Sequence, residues 1–277
     1  MNAAVSALPS SRFDPSEVMA SSAIDLYARP SPDFDAKLHE TVVTLLKAAA
    51  TGQVSQASSL GAEDMIITHL INTHALPIGI FVLDTGALHA ETVALIEQLK
   101  AQQEQHAHAP LTIYQPSQEA VIQFVGREGK DAMYKSIELR KSCCNIRKME
   151  PLSRALAGKN AWVTGLRREQ SGARAEVSLV DRSEVESKGL LKYNPLANWT
   201  WSDVWHFIAE NKVAYNPLHD QFYPSIGCAP CTRAVTVGED FRAGRWWWEN
   251  ESAKECGLHV KPALSSSLSP SASQAHA

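Results

Sequence analysis

The stretch Ile78-Gly79-Ile80-Phe81-Val82-Leu83, which runs into Asp84-Thr85-Gly86, decides the fold class of this 277-residue chain. A continuous apolar run that ends in small and polar residues is typical of a strand buried on both faces of a sheet. A similar unit precedes it: residues 54–58 predict a strand, and the turn Ser58-Ser59-Leu60-Gly61 leads into a pattern typical of an amphipathic helix.

Further apolar segments at residues 111–114, 161–164, 177–180 and 190–193 predict more strands, with helical patterns between the earlier ones and at residues 132–139. Thr200-Trp201-Ser202-Asp203 is typical of a capping box that opens another helix. Strands that alternate with helices indicate an α/β protein with a mainly parallel sheet flanked by helices. Ligands of such sheets bind beyond the carboxyl ends of the strands. We therefore expect the Ser58 and Asp84 turns to lie on one edge of the sheet.

The ends of the chain differ from its centre. Residues 1–31 mix Ala, Ser and Pro and predict a loosely packed arm, and the Ser- and Pro-rich residues 261–277 predict a disordered tail. Between them a helix is expected from Asp33 to Ala50, and residues 32–260 form the predicted domain. The segment from Gly227 to Trp248 is predicted to be irregular and to carry cysteines.

Composition excludes several classes of protein. The chain is 44% hydrophobic with a formal net charge of -4, so it can build a core but has no overall positive field for nucleic acid. No apolar run approaches the roughly 20 residues that span a bilayer, and residues 1–17 show no secretory pattern. Five cysteines, an odd number, then favour the cytoplasm, where thiols stay reduced.

Two turns are candidates for binding an anion. The Ser58 turn precedes a helix, whose N-terminal N–H groups and dipole favour negative charge, although an ordinary serine-capped turn would look the same. Arg167 and Arg168 follow the strand at 161–164, with Arg174 close behind, and suit a bound phosphate or sulfate. A solvated run of charges is the alternative.

The five cysteines fall into two groups and a single residue. Lys141-Ser142-Cys143-Cys144-Asn145-Ile146-Arg147-Lys148 sets two cysteines among cations, and Cys228-Ala229-Pro230-Cys231 supplies two more. Adjacent ligands fit a [4Fe-4S] cube, on which each thiolate holds a different iron, better than a zinc tetrahedron. Zinc and plain burial remain alternatives. Cys256 is left without a partner and is the candidate nucleophile.

The segment Gly238-Glu239-Asp240-Phe241-Arg242-Ala243-Gly244-Arg245-Trp246-Trp247-Trp248-Glu249 is unusual for a protein core. Three adjacent tryptophans cannot all face one interior, so some of them are expected to cover a cofactor or a base. Arg242 and Arg245 offer two more donors to an anion.

Four motifs in order resemble those of the assimilatory adenosine 5'-phosphosulfate (APS) reductases, the thioredoxin-dependent branch of the phosphoadenosine phosphosulfate reductase family. They are Cys-Cys-x-x-Arg-Lys from Cys143, Gly-Cys-x-Pro-Cys-Thr-Arg from Gly227, the Gly238 segment, and Glu255-Cys256-Gly257-Leu258-His259. The likeness runs from Ser58 to His259. Where that family often has Arg and Pro after Asp-Thr-Gly, this chain has Ala87 and Ala90.

The resemblance implies a fold of the adenine-nucleotide α-hydrolase type and a [4Fe-4S] cluster held by Cys143, Cys144, Cys228 and Cys231. It implies that Cys256 attacks the sulfur of APS, that AMP leaves, and that thioredoxin or glutaredoxin releases sulfite from an S-sulfocysteine. The substrate-binding residues it implies are Ser58, Ser59, Gly61, Leu83, Asp84, Thr85, Lys148, Gly165, Arg167, Arg242, Arg245 and His259.

Two other functions remain open from the sequence. Reduction of 3'-phosphoadenosine 5'-phosphosulfate (PAPS) is the sister activity, whose enzymes lack the four cluster cysteines. A zinc-stabilised nucleotide-binding module is the alternative from another class. A homo-oligomer is compatible with the sequence, which does not fix the oligomeric state.

Overall fold

The structure is a computed structural model that describes residues 22–236 and 238–250. Its strands are β1 (Val54–Ser58), β2 (Gly79–Leu83), β3 (Leu111–Tyr114), β4 (Ala161–Val163), β5 (Val180–Asp181) and β6 (Leu191–Tyr193). Its α-helices are α1 (Ala23–Tyr27), α2 (Phe34–Ala49), α3 (Ala62–Thr73), α4 (Ala90–Gln103), α5 (Gln118–Glu128), α6 (Ile137–Cys144), α7 (Glu150–Leu156), α8 (Val185–Lys188) and α9 (Trp201–Asn211). Cys256, His259, and the predicted tail at 261–277 lie outside the described residues, as do residues 1–21 of the predicted arm.

The described strands form one sheet in the order β3-β2-β1-β4-β6-β5. All neighbouring pairs are parallel except β5 with β6. The predicted α/β class with a mainly parallel sheet is therefore confirmed. The chain builds outward from β1 to β3 on one side and then returns to place β4 on the other side of β1. This reversal opens a crevice at the carboxyl ends of β1 and β4, where such sheets bind ligands.

Strand β2 is buried on both faces, as its apolar run predicts. Ile80 and Val82 are 1% and 2% exposed and belong to the main core, whereas Phe81, 2% exposed, packs on the opposite face with Leu152 and Trp162. Successive side chains of a strand point to opposite faces, so one strand contributes to two cores. Each fully buried side chain of this size contributes about 1.5 to 3 kcal/mol.

Helix α9 begins with the predicted capping box. The Thr200 side chain accepts a hydrogen bond from the backbone N–H of Asp203, and the Asp203 carboxylate accepts one from the Thr200 N–H. The same carboxylate accepts from Ser31 N at 2.7 Å and from Lys37 Nζ at 3.1 Å. Asp203 therefore ties α9 to the residues that precede and open α2.

The described part of the predicted arm, residues 22–31, includes helix α1. A capping box between Ser22 and Asp25 opens this helix, and Ala23 is 2% exposed. Ala23 N donates to Asp220 Oδ1 at 2.7 Å, so α1 is fixed to the segment that follows α9. Among the described helices, none is long and apolar enough to cross a membrane.

Two predicted elements differ from the structure. The strand predicted at 177–180 shrinks to Val180–Asp181, because the 3-10 turn before it continues and Val177 N donates to Arg174 O. The helix predicted at 132–139 is a 3-10 turn, Ala132–Tyr134, followed by α6. Ser136 begins α6 by accepting from Leu139 N, which separates the two.

We predict that Asp203→Ala lowers the free energy of unfolding by about 1.5 to 3 kcal/mol, because it leaves buried donors on Ser31, Thr200 and Lys37 without a charged acceptor. Urea unfolding at pH 7 measures the change. Asp33→Asn is the matched control, since Asp33 binds the same Lys37 ammonium but its side chain is 63% exposed. Equal losses in the two variants would contradict the role given to Asp203.

Candidate active site

A cleft of ≈ 190 Å³ opens at the carboxyl ends of β1, β2 and β4, where the topology predicts a ligand. Its apolar side is formed by Phe81, Leu83, Leu152 and Trp162. Its polar side is formed by Ser58, Ser59, Glu63, Asp64, Thr85, Lys148, Gly165, Gln170 and Arg174. An apolar slot with polar groups along one side is the usual form of a small-molecule site.

In the Ser58 turn, the two donors of Ser59 are engaged within the chain. Ser59 N and Ser59 Oγ both donate to Asp64 Oδ2, at 2.7 and 2.6 Å, and Gly165 N donates to Asp64 Oδ1 at 3.1 Å. The prediction that this turn faces a bound anion is corrected in one respect: the anion is the chain's own carboxylate. The serine-capped alternative is also wrong, because Gly61 is the N-cap of α3 and no side chain caps it.

The two carboxyls that open α3 have opposite environments. Burial raises the pKa of Asp64 to about 6 and neighbouring Glu63 adds to the rise, although the Ser59 and Gly165 donors oppose it. Burial would also raise the pKa of Glu63, but the Arg167 guanidinium and Gln170 outweigh it and lower that pKa. Glu63 is therefore the charged member of the pair, and Asp64 can hold or release a proton near neutral pH.

The arginines after β4 do not form a joint anion site. Arg167 is fully buried, binds Glu63 Oε1 at 2.9 Å and Glu169 Oε2 at 2.7 Å, and does not line the cleft. Arg168 donates to Val177 O and Asn198 on the surface. Arg174 does line the cleft and donates to Gln170 Oε1 at 2.6 Å. Of the three arginines predicted to bind a phosphate or sulfate, only Arg174 faces the cleft. The alternative, that these arginines are solvated surface charges, fits only Arg168.

The turn after β2 links the cleft to the cysteines. Thr85 lines the cleft, and its Oγ1 lies 3.3 Å from Cys228 Sγ. Arg147 NH1 donates to Thr85 O at 2.7 Å. Asp84 lies outside the cleft lining and is engaged by Gly86 N and Gln115 Nε2.

The four described cysteines, all without disulfides, are brought together from α6 and the loop at 228–231. Burial raises the pKa of Cys143, with a further contribution from Cys228. Burial raises the pKa of Cys231 to about 12, aided by Cys228 and Cys144. Burial acts in the same direction on Cys228, but Lys148, the Thr85 hydroxyl and two arginines outweigh it and lower its pKa. Cys228 thus interacts electrostatically with Cys143, and Cys144 with Cys231, across the two segments.

Cations lie between the cysteines and the cleft. Lys148 lines the cleft and lowers the pKa values of Cys143, Cys228 and Cys231. Arg245 is 7% exposed and lies directly behind Gly227, which lines the cleft: a Cβ on Gly227 would be 2.4 Å from Arg245 NH2. Arg242 and Arg245 share the Ser225 hydroxyl as acceptor, at 3.3 and 3.5 Å. The two arginines thus meet at the rim of the cleft.

A family model described as the phosphoadenosine phosphosulfate reductase domain matches residues 53–234, which include this cleft and the four cysteines. The chain belongs to the phosphoadenosine phosphosulfate reductase family. It is 57% identical over 203 residues to the adenosine 5'-phosphosulfate reductase of Allochromatium vinosum, which covers 73% of this chain and 77% of that protein. It is 54% identical over 208 residues to the enzyme of the same name from Burkholderia cepacia, covering 75% and 81%.

A solved structure of the family has the same fold. It is a phosphoadenylyl-sulfate (PAPS) reductase from Candida auris in complex with phosphate, which is 27% identical and superposes with a TM-score of 0.58 over 75% of this chain and 98% of that one. The fold of the adenine-nucleotide α-hydrolase type, which the resemblance implies, is confirmed.

The structure thus brings part of the predicted site of this family member together. Ser58, Ser59, Leu83, Thr85, Lys148 and Gly165 line one cleft, whereas Gly61, Asp84, Arg167, Arg242 and Arg245 do not line it. Arg245 lies behind the lining residue Gly227, and Arg242 meets it at Ser225. Within the described ranges, 22–236 and 238–250, no group of three or more His, Cys, Asp or Glu side chains is arranged to hold a single metal ion. Cys256 and His259 lie beyond those ranges, so their roles stay predictions.

Sequence reasoning missed the polar residues Asp64 and Gln170 and the aromatic Trp162. Asp64 gave one readable signal, because a carboxylate at the first turn of a helix after a Ser-rich turn can accept from that turn. Trp162 lies in the predicted strand at 161–164, and its side chain packs in the core as well as lining the cleft. Gln170 lies in a short 3-10 turn, so no periodicity marks the direction of its side chain.

We predict that Asp64→Asn flattens the pH dependence of stability between about pH 4 and 7. The folded protein binds a proton at Asp64 that the unfolded chain has released, so the free energy of unfolding of the wild type falls by about 3 kcal/mol as pH rises through this window. The variant has no carboxyl group at residue 64 to titrate and lacks this loss. The free energy of unfolding of the variant, relative to that of the wild type, therefore increases as pH rises.

Urea unfolding at several pH values measures the effect. Asp203→Asn is the control, since the pKa of Asp203 is lowered to about 2 and its contribution is constant in the same window. A stability gap between wild type and Asp64→Asn that does not change with pH would contradict the raised pKa.

Proposed function

We propose that this protein is an adenosine 5'-phosphosulfate reductase that reduces APS to sulfite and AMP in assimilatory sulfate reduction and cysteine biosynthesis. The observation that carries the proposal is the position of Lys148, which lines the cleft and also interacts with three of the four described cysteines. The relatives named above support it, since at 57% and 54% identity both are named for this activity.

The cleft suits an adenine nucleotide with an anionic end. Phe81, Leu152 and Trp162 offer an apolar, partly aromatic slot on which a base would pack. Lys148, Arg242 and Arg245 offer charged donors at the side towards the cysteines, where the phosphosulfate would be held. Burial of the arginines strengthens each such contact, because less water competes for the anion.

A [4Fe-4S] cluster is part of the proposal. Cys143, Cys144, Cys228 and Cys231 would hold it, and two features of the chain fit such a group. Cysteines of the two segments interact electrostatically with each other, and none of the four forms a disulfide, so each thiolate is available to a different iron. Arg147, Lys148 and Arg245 surround them and would offset the negative charge of the thiolates. When bound, the cluster would link α6 to the loop at 228–231.

The proposed reaction proceeds in two steps. The Cys256 thiolate attacks the sulfur of APS, the bond from sulfur to the phosphate oxygen breaks, and AMP leaves with that electron pair. The product on the protein is an S-sulfocysteine, and Lys148, Arg242 and Arg245 would stabilise the charge that develops on the leaving phosphate. Lys254 and His259 are close in sequence to Cys256 and would favour its thiolate.

The second step needs an external dithiol. A thiolate of thioredoxin or glutaredoxin attacks Cys256 Sγ, sulfite leaves, and the second thiol of the dithiol resolves the mixed disulfide. Two electrons pass from the dithiol to the sulfur that leaves as sulfite. The other four cysteines are assigned to the cluster, so this chain has no resolving thiol. A cytoplasmic location, where such dithiols are kept reduced, belongs to the same proposal, and the oligomeric state remains open.

Turnover with APS and reduced thioredoxin tests the proposed function directly. We expect sulfite and AMP in equal amounts, and a much lower kcat/KM with PAPS measured in parallel. The name of the Candida auris relative makes PAPS the competitor to compare. A preference for PAPS would replace the proposed substrate, and no sulfite from either compound would overturn the proposal.

We predict that Cys228→Ser loses bound iron and reductase activity together, because a cube held by three thiolates is poorly retained. Iron and acid-labile sulfide are measured on protein prepared without oxygen. Cys256→Ser is the matched control: it changes the same atom but should keep the iron content of the wild type. Zinc in place of iron in the wild type, or full iron content in Cys228→Ser, would refute the cluster.

We predict that APS given without thioredoxin adds one sulfonate to Cys256 and releases one equivalent of AMP, after which the reaction stops. Cys256→Ser should form no adduct, since a serine hydroxyl is a far weaker nucleophile than a thiolate near neutral pH. Intact mass and peptide mapping after an APS pulse measure this. An adduct on another cysteine, or repeated turnover by the serine variant, would remove Cys256 from the mechanism.

A further inference from the structure

A buried ion pair joins α6 to the last turn of the described chain. Arg140 Nε donates to Glu249 Oε1 at 2.9 Å and Arg140 NH2 donates to Glu249 Oε2 at 2.7 Å. The two side chains are 2% and 3% exposed. A bidentate pair removed from water restricts both partners in position and angle, and breaking one partner leaves a buried charge.

The same guanidinium packs on Trp246, whose indole lies between two cations. Arg140 Cζ is 4.6 Å and Arg245 Cζ is 4.7 Å from the ring centroid. Trp246 is 1% exposed, and its backbone N–H donates to Cys231 O at 3.1 Å. Its φ of +44° lies in the left-handed region, which a bulky residue adopts only when its surroundings fix it.

We propose that Arg140 is a positioning residue that, through Glu249 and Trp246, fixes Arg245 behind Gly227 at the rim of the cleft and holds in place Glu249, which precedes Cys256 by seven residues. This inference rests on the proposed function for the roles of Arg245 and Cys256. Glu249 N donates to Trp246 O at 2.8 Å, so the pair and the stacked ring belong to one turn.

The chain length makes the anchor relevant to the nucleophile. Cys256 follows Glu249 by seven residues, which span at most about 25 Å when extended. A fixed Glu249 therefore limits how far from this turn the thiolate of Cys256 can lie. A loosened turn relaxes that limit and also lets Arg245 leave the face of Trp246, so anion binding and attack by Cys256 would both be weakened.

Glu249→Gln tests the inference, because it removes the charge but keeps the size of the side chain. Glu239→Gln is the control: Glu239 makes a bidentate pair of the same geometry with Arg233, at 2.8 and 2.7 Å, but its side chain is 29% exposed and neither residue stacks on Trp246. Both variants are prepared as the iron-loaded full chain, and iron content and thermal unfolding are recorded first.

Affinity for ADP relative to AMP is the first readout, since the second phosphate of ADP stands in for the sulfate and needs Arg245. We expect Glu249→Gln to weaken ADP binding by about tenfold, the size of one charge-assisted contact, with AMP binding nearly unchanged. The rate of adduct formation on Cys256 under single-turnover conditions should fall by about 10- to 100-fold. Glu239→Gln should leave both values at those of the wild type.

Arg140→Lys is the second variant, and its ADP affinity should lie between those of Glu249→Gln and the wild type. It keeps a positive charge on Trp246 but loses the planar guanidinium that holds Glu249 by two bonds. An unchanged ratio of ADP to AMP affinity in Glu249→Gln overturns the inference, as does an equal effect in Glu239→Gln. If the wild type forms no adduct with APS, the proposed function fails, while the ADP and AMP affinities still decide whether Arg140 positions Arg245.

Discussion

The geometry of the cleft depends on the hydrogen bonds that the Asp64 carboxylate accepts. It accepts from Ser59 in the turn after β1 and from Gly165 in the turn after β4, so one side chain joins the two strands at which the sheet order reverses. The space is so tight that a Cβ at residue 165 would lie 2.5 Å from Asp64 Oδ1. A glycine is therefore required there by close approach rather than by backbone angles.

This carboxylate also gives the cleft a direction. Asp64 and Glu63 lie at the N-terminus of α3, where an oxyanion would otherwise bind, and their charge disfavours an anion at that end. Lys148, Arg242 and Arg245 lie towards the cysteines. A ligand with a donor-rich neutral end and an anionic end would bind in one orientation only, with its anion next to the sulfur chemistry. Because the overall charge of the chain is -4, this local arrangement, not the global field, selects an anion.

The sequence predicts those features of the fold and the site that depend on local patterns, and it predicts contacts between distant segments less well. The burial of Ile80 to Val82 and the capping box at Thr200 follow from local periodicity and side-chain chemistry, so the sheet and α9 could be read directly. The convergence of Cys143 with Cys228 was inferred from ligand chemistry, since no local pattern links two distant segments. The prediction that Arg167 binds an anion was wrong, because the sequence around an arginine after a strand is the same whether it binds a ligand or pairs with a buried glutamate. Only the fold shows that Glu63 lies opposite it.

The helix that carries the adjacent cysteines shows why one segment can serve two sites. Residues Asn145–Met149 form a π-helical stretch between α6 and α7, and such widened turns change which side chains share a face. Within it, Arg147 reaches both Cys143 and Thr85 O, while Lys148 reaches the cleft. Cys143 and Cys144 and the cleft residue Lys148 therefore lie on one continuous helical segment. Because no loop separates Cys144 from Lys148, we expect a change in the contacts of either cysteine to be transmitted to the positive charge that Lys148 places in the cleft.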